Sequence, residues 1–320
     1  MATFSIVIPA RNAAADLERC LRAINRSVAV AATEVDVIVA DNGSRDETTD
    51  VARRQDARVL HVPDVAVSAV RNRAVQALET PIVAFVDADQ EVSAGWVEAA
   101  VLGLSIQDID AVGAEYRSPP SPTWVQRAYD ALRRRPSGRC EATWLPCGNL
   151  VVRRDVFLAV GGFDETLETC EDVDLCRRFH AAGRRVVAEP DLVSVHHGDP
   201  RTLWALFRGE MWRGRDNLRV TLRSPRDLRS IASALQLLMT VAAAVATLAV
   251  SLVWPHLAVP SVAAFVAFLL LASMPRSLQM WSRMRPRSIA AFFQTAAVAL
   301  TFDAARAVAL LTRATHAVRQ

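Results

Sequence analysis

Lysine is missing from the 320 residues, so all 37 strong bases are arginines, and they are unevenly placed. Residues 1–230 carry 30 Arg against 33 Asp and Glu, whereas residues 231–320 carry 7 Arg against 1 Asp. The first part lacks the basic face that a nucleic-acid partner requires. The basic, apolar tail points instead to a membrane surface. Cysteine is scarce: Cys20, Cys140, Cys147, Cys170 and Cys176 form an odd set without CxxC spacing. That speaks against a disulfide frame or a zinc site and for reduced cytosolic thiols. The opening residues, Met1 to Pro9, have no basic n-region and no long apolar core, so they read as a first strand and not as a signal peptide. No glycine stands between Ala10 and Ala15, where nucleotidyl transfer on a similar α/β fold would use a glycine-rich loop.

What the chain does have is an apolar run, Ile82 to Val86, followed at once by Asp87 and Asp89. Bounded by Pro81, the run reads as a buried strand of a parallel sheet. Acids at i and i+2 off a strand end can face one cleft, where they repel unless a divalent cation bridging diphosphate oxygens relieves them. Two solvated loop acids are the plainer alternative. Upstream, strands are predicted at 4–8, 35–40 and 58–62, with helices at 13–28 and 67–78. This alternation implies a parallel sheet flanked by helices, with ligands off the carboxyl ends of strands, where Asp41, Asp87 and Asp89 fall. Ser44 and Glu47 have the spacing of a capping box for the next helix.

Downstream, a helix over 93–106 and a strand over 111–116 precede a proline-rich insertion. Its short basic helix, 124–135, belongs either to a substrate lid or to a passive surface loop. A strand at the Gly148-Asn149 stretch and a tight turn at Gly161-Gly162 lead to a helix with Glu171 and Asp172 at its start. On a 3.6-residue period Asp172, Leu175, Cys176 and Phe179 share one face, while Glu171, Asp174 and Arg178 fall on another. Asp172 is thus predicted to look inward, with a capping role behind Thr169 as the alternative. Short strands at 185–188 and 192–195 end in His196-His197, placed to ligate a metal or touch a phosphate.

In the tail, residues 201–229 interleave arginine with Trp204, Phe207, Met211 and Trp212, a pattern for a helix at a bilayer surface. Residues 231–253 carry no charge and make about 34 Å of helix, enough for one span. A second, shorter span is predicted at 257–274. Arg223, Arg226 and Arg229 precede the pair, and Arg276, Arg283, Arg285 and Arg287 follow it. The positive-inside rule then makes a multi-pass hairpin in the cell membrane with the N-terminal domain on the cytoplasmic side. Residues 289–311 contain Asp303 and Arg306 and are expected as an interfacial or re-entrant helix in preference to a third span. The expected division is 1–200 catalytic, 201–230 interfacial, 231–274 two transmembrane helices, and 275–320 a basic segment with the last helix.

With these pieces in order, residues 3–200 resemble the family 2 glycosyltransferases. The resemblance rests on seven stretches: Val7-Ile8-Pro9-Ala10-Arg11-Asn12, Asp41-Asn42-Gly43-Ser44, Ser68-Ala69-Val70-Arg71-Asn72, the D-x-D at Asp87 and Asp89, Gly148-Asn149, Gly161-Gly162-Phe163-Asp164 and Glu171-Asp172. It implies the nucleotide-sugar-binding GT-A fold, an α/β domain with a mostly parallel sheet, ahead of the helical membrane region. It implies that Pro9, Asn12, Asp41, Arg71, Asp87 and Asn149 bind a nucleotide-sugar donor. Asp89 and His196, or His197 in place of His196, would hold Mg2+ or Mn2+, and Asp172 would be the catalytic base. The processive members' Q-x-x-R-W element is absent, which argues for one sugar per encounter. The expected activity is metal-dependent, inverting sugar transfer to a hydroxyl of a lipid-linked or cell-envelope glycan acceptor. Transfer to polyprenyl phosphate and a non-catalytic nucleotide-sugar-binding membrane protein stand as alternatives.

Overall fold

The computed structural model describes residues 4–31, 33–133, 138–223 and 228–316. Arg226, Arg319 and the end of the predicted 124–135 helix lie outside the described residues, as do the side chains of Arg229 and Arg313. The chain forms two compact units, residues 1–119 with 135–199 and residues 120–134 with 200–320.

The first unit opens with β1 (Phe4–Ala10), α1 (Ala14–Ala31), β2 (Val35–Asp41), α2 (Thr48–Arg54), β3 (Arg58–His61), α3 (Val67–Gln76) and β4 (Ile82–Val86). There follow β5 (Gln90–Val92), α4 (Trp96–Ser105) and β6 (Ala111–Gly113). The next helix, α5 (Trp124–Arg133), belongs to the second unit. The first unit resumes with β7 (Cys140–Glu141), β8 (Asn149–Arg153), α6 (Arg154–Ala159), α7 (Glu171–Ala181), β9 (Val186–Ala188) and β10 (Ser194–His196).

Eight strands make one sheet in the order β3-β2-β1-β4-β8-β6-β9-β7, parallel except for β8 and β7. Period-two alternation sends Ile6, Ile8, Ala84 and Val86 to one face, under α1 and α4. Val7, Val83 and Phe85 go to the other, where Phe163 meets Phe85 edge-on with centroids 5.1 Å apart. Both faces are covered, which is why the strands read as unbroken apolar runs.

Two pairings position the site. Because β8 is antiparallel to β4, Asn149 pairs with Val86, and Gly148 comes to lie beside Asp87. A separate two-stranded sheet pairs β5 with β10, setting His196 opposite Gln90 and next to Asp89. Periodicity did not reveal β5, which is only three residues long. The expected capping box is also replaced. α2 starts at Thr48, and the Asp46 carboxylate accepts the Thr48 N–H, while the Ser44 hydroxyl accepts the Asn12 N–H at 2.9 Å.

The second unit holds α5, α8 (Leu203–Arg213), α9 (Asn217–Leu222), α10 (Leu228–Val253), α11 (Ala258–Arg283) and α12 (Ile289–His316). Among the described residues, three of its helices are long and apolar enough to cross a membrane, within α10, α11 and α12. The helix of the insertion is packed within the second unit. Val125, Ala128 and Tyr129 of α5 are buried among Leu206, Met280, Ala291 and Val298, and the Tyr129 hydroxyl donates to Glu210 at 2.6 Å. Asp303 accepts from Arg276 at 3.0 Å, and Arg306 pairs with Glu210 at 2.7 Å, so both mid-helix charges of α12 are neutralised by protein partners.

Asn149 is fully buried, accepts from the Trp96 indole at 2.7 Å and donates to the carbonyls of Leu192 and Ala114 at 2.8 and 3.1 Å. Its amide is engaged inside the protein and ties the first turn of α4, the residue after β6 and the segment ahead of β10 to the start of β8. Replacing it by alanine orphans those partners, at a cost of about 3 kcal/mol. Chemical denaturation followed through Trp fluorescence should show that loss.

Candidate active site

Parallel register lines up the carboxyl ends of β1, β2 and β4. Pro9 pairs with Ala40 and Ala10 with Asp41, while Val7 pairs with Phe85 two residues short of Asp87. Asp41 is buried, with Oδ1 accepting the Ser44 N–H at 3.2 Å and Oδ2 facing His61 Nδ1 at 3.3 Å. Asn12 sits nearby in a left-handed conformation, φ 50°, its side chain accepting the Arg45 N–H at 2.8 Å. Together these residues line the carboxyl ends of β1 and β2.

Arg71 projects from α3 and is almost completely buried. Its Nη2 donates to Asp87 Oδ1 at 2.7 Å and its Nη1 to Glu171 Oε1 at 3.0 Å. The guanidinium therefore joins two acids and is not displayed for a base or ribose. The Cys147 thiol also donates to Glu171 Oε1, at 3.5 Å, and burial pushes that thiol's pKa well up. A Cβ on Gly148 would stand 2.2 Å from Asp87 Oδ2 and 2.7 Å from the Tyr116 hydroxyl, so only glycine lets both oxygens close over this point.

The amphipathic reading of α7 needs correction. Glu171, Asp174, Leu175, Cys176 and Phe179 make the buried face, and Asp172 is half-buried. Glu171 tolerates burial because Arg71 pairs with it. Asp172 accepts only the adjacent Val173 N–H, at 2.8 Å, and takes no cation among the described residues. Burial first, and the charge of Glu171 second, raise its carboxyl from the usual carboxylate range to about 7. Near neutral pH this carboxyl can therefore take up a proton.

His196 lies between two acids. Its Nδ1 meets Asp199 Oδ1 at 2.7 Å and its Nε2 meets Asp89 Oδ2 at 3.1 Å, while its ring stacks on Tyr116 with centroids 5.1 Å apart. Burial opposes a charged ring, but the bonds to Asp199 and Asp89 outweigh it and raise the imidazole to about 9. The Asp89 carboxyl is drawn below its ordinary value: burial works the other way, and the His196 bond overcomes it. His197 turns aside, with Nε2 2.9 Å from Glu91. No group of three or more metal-ligating side chains occurs among the described residues. Asp89 and His196 nonetheless fit a hard cation that completes its shell with phosphate and water, because Asp199 on Nδ1 directs Nε2 toward Asp89. The sequence reading missed Asp199 and Tyr116, which follow short strands and carry no local signal; the H-x-x-D spacing of His196 and Asp199 was the only hint.

Residues 5–159 match the profile of glycosyl transferase family 2. The pre-mycofactocin glycosyltransferase of Mycobacterium tuberculosis is 33% identical over 211 residues, covering 62% of this chain and 43% of that one. The N-acetylglucosaminyl-diphospho-decaprenol L-rhamnosyltransferase of the same organism is 31% identical over 205 residues, 51% of this chain and 66% of its own length. The chain thus spans less than half of the first relative. Among solved structures, a mannosyltransferase from Pyrobaculum calidifontis in complex with GDP-Man and Mn2+ superposes with a TM-score of 0.57 at 17% identity, covering 93% of this chain and 85% of that one. This likeness establishes the GT-A-like α/β fold.

Asp172 also sets a stability test. Its folded pKa lies above the unfolded one of about 3.9, so the native state binds the extra proton between the two values. Ionisation therefore costs stability as pH rises through that window, and fully above 7. Asp172→Asn should be about 1 kcal/mol more stable than the parent at pH 8, after allowance for water at its exposed edge. The two should match near pH 4, which thermal unfolding at both pH values would check.

Proposed function

From the membership of this chain in glycosyl transferase family 2, carried by residues 5–159, we propose that it moves a sugar from a nucleoside-diphosphate sugar to an acceptor hydroxyl, with inversion at the anomeric carbon. One observation carries this reading. Of the acids at the cleft, Asp87 and Glu171 are held by Arg71, Asp89 by His196, and Asp41 faces His61, while Asp172 pairs with no cation among the described residues and has a raised proton affinity.

The residues divide by role. Pro9, Asn12 and Asp41 form the nucleoside shelf, and Asp87, oriented by Arg71, bounds the nucleotide side. Asn149 acts on that side indirectly, through the segments it ties. Asp89 and His196 would hold a divalent cation, Mg2+ or Mn2+, which when bound neutralises charge on the leaving diphosphate. Asp172 takes the proton from the acceptor hydroxyl as its oxygen attacks the anomeric carbon opposite the leaving group. A half-buried carboxylate near pKa 7 is a stronger base than a solvated one and is still substantially ionised at neutral pH.

The acceptor class is supported by the tail and by the rhamnosyltransferase, whose name specifies a diphospho-decaprenol-linked sugar. In this reading α10 and α11 cross the bilayer as a hairpin. Their surfaces are mostly exposed in the molecule, as lipid-facing helices require. α12 is more buried, with Ala291, Val298, Ala299, Ala305 and Ala309 inside the second unit, and serves as an interfacial helix. Flanking arginines support a cytoplasmic side for the N-terminal domain.

Purified protein with Mn2+ and a panel of nucleotide sugars should release nucleoside diphosphate from one donor. Asp172→Asn should lower turnover at least 100-fold with donor affinity retained, whereas Asp89→Asn should weaken both. Wild-type turnover in a folded Asp172→Asn enzyme would contradict the assignment.

A further inference from the structure

Glu171 is a costly residue to bury, and Arg71 does not need it. Asp87 alone neutralises the Arg71 guanidinium, so adding Glu171 leaves the buried trio with one uncompensated negative charge. A neutral side chain at that position would have left a simple ion pair. The surplus charge adjoins Asp172 in the first turn of α7 and is held in place by two donors, Arg71 Nη1 at 3.0 Å and the Cys147 thiol at 3.5 Å. Glu171 therefore cannot swing into solvent to escape its neighbour.

We infer that Glu171 is a positioning residue whose charge, clamped by Arg71 and Cys147 next to Asp172 in the first turn of α7, tunes Asp172 as a proton acceptor. The inference rests on the reading of Asp172 as the base, and it links the two sides of the cleft. The same guanidinium that orients Asp87 toward the donor fixes the charge that tunes the acceptor side. The charged and titratable groups that face Asp172 are Glu171 on its own helix, Arg71 from α3, Glu115 after β6, Tyr116, and Cys147 ahead of β8. Arg71 opposes the effect of Glu171, and Glu115 acts with it. Burial of Asp172 acts in the same direction and would persist without Glu171, so removing that charge should lower the midpoint only in part.

The test is a carbon-13 titration of Asp172 in the full-length, detergent-solubilised protein, its carboxyl signal identified by loss in Asp172→Asn. Glu171→Gln keeps the shape of the side chain, and its amide oxygen can still accept from Arg71 and Cys147, so the fold is expected to survive. The Asp172 midpoint should fall by about one pH unit in Glu171→Gln. It should stay near the wild-type value in Glu171→Asp, which restores the charge. An unchanged midpoint in the Gln variant overturns the inference, as does an equal fall in the Asp variant. The acid limb of nucleoside diphosphate release should move with the Asp172 midpoint. A midpoint that shifts while the limb stays put supports the electrostatic tie and refutes Asp172 as the base, which separates the two readings.

Discussion

A guanidinium taken out of water must be paired, and the cleft of this protein is built around how Arg71 meets that demand. It reaches from α3 to Asp87 at the end of β4 and to Glu171 at the start of α7, joining segments 16 and 100 residues away in sequence. Everything at the cleft floor is placed relative to that bridge. Asp87 is oriented, Gly148 must be glycine to pass it, and Glu171 is drawn inward so that Asp172 is left half-buried and unpaired. The bridge holds Asp87 and Glu171 in one rigid frame, which suits the proposed transfer, a reaction that must align an attacking hydroxyl and a leaving diphosphate.

A second clamp follows the same logic. His196 is gripped by Asp199 and Asp89, and the short pairing of β5 with β10 delivers it there. Tyr116 stacks on the ring and accepts the Gly148 N–H at 3.0 Å, so the two clamps touch through one phenol. In the second unit, Glu210 with Arg306 and Asp303 with Arg276 show that the mid-helix charges of α12 also persist by pairing.

Much of this was legible in the sequence where the signal is local. The apolar run before Asp87, the acid that ends β2 and the charge-free stretch 231–253 are signals of contiguous residues, and the structure makes them β4, the last residue of β2 and most of α10. The failures are non-local. Glu171 reads as a solvent-facing acid on a helical wheel because its partner lies in a helix 100 residues earlier. Arg71 reads as a nucleotide contact because nothing near it in sequence announces two carboxylate partners. The same holds for α5, whose burial depends on residues of α8, α11 and α12, and for Asn149, whose amide is taken up by three segments distant in sequence.

If Asp172 acts as the proposed base, the sugar is transferred in one displacement and no covalent sugar–enzyme intermediate forms. The most direct measurement is therefore the anomeric configuration of the transferred sugar, read by proton NMR of the product formed from a donor of known configuration. Inversion is the predicted result. Retention would require a nucleophile or a front-face mechanism that assigns Asp172 no role as base, and would contradict the mechanism.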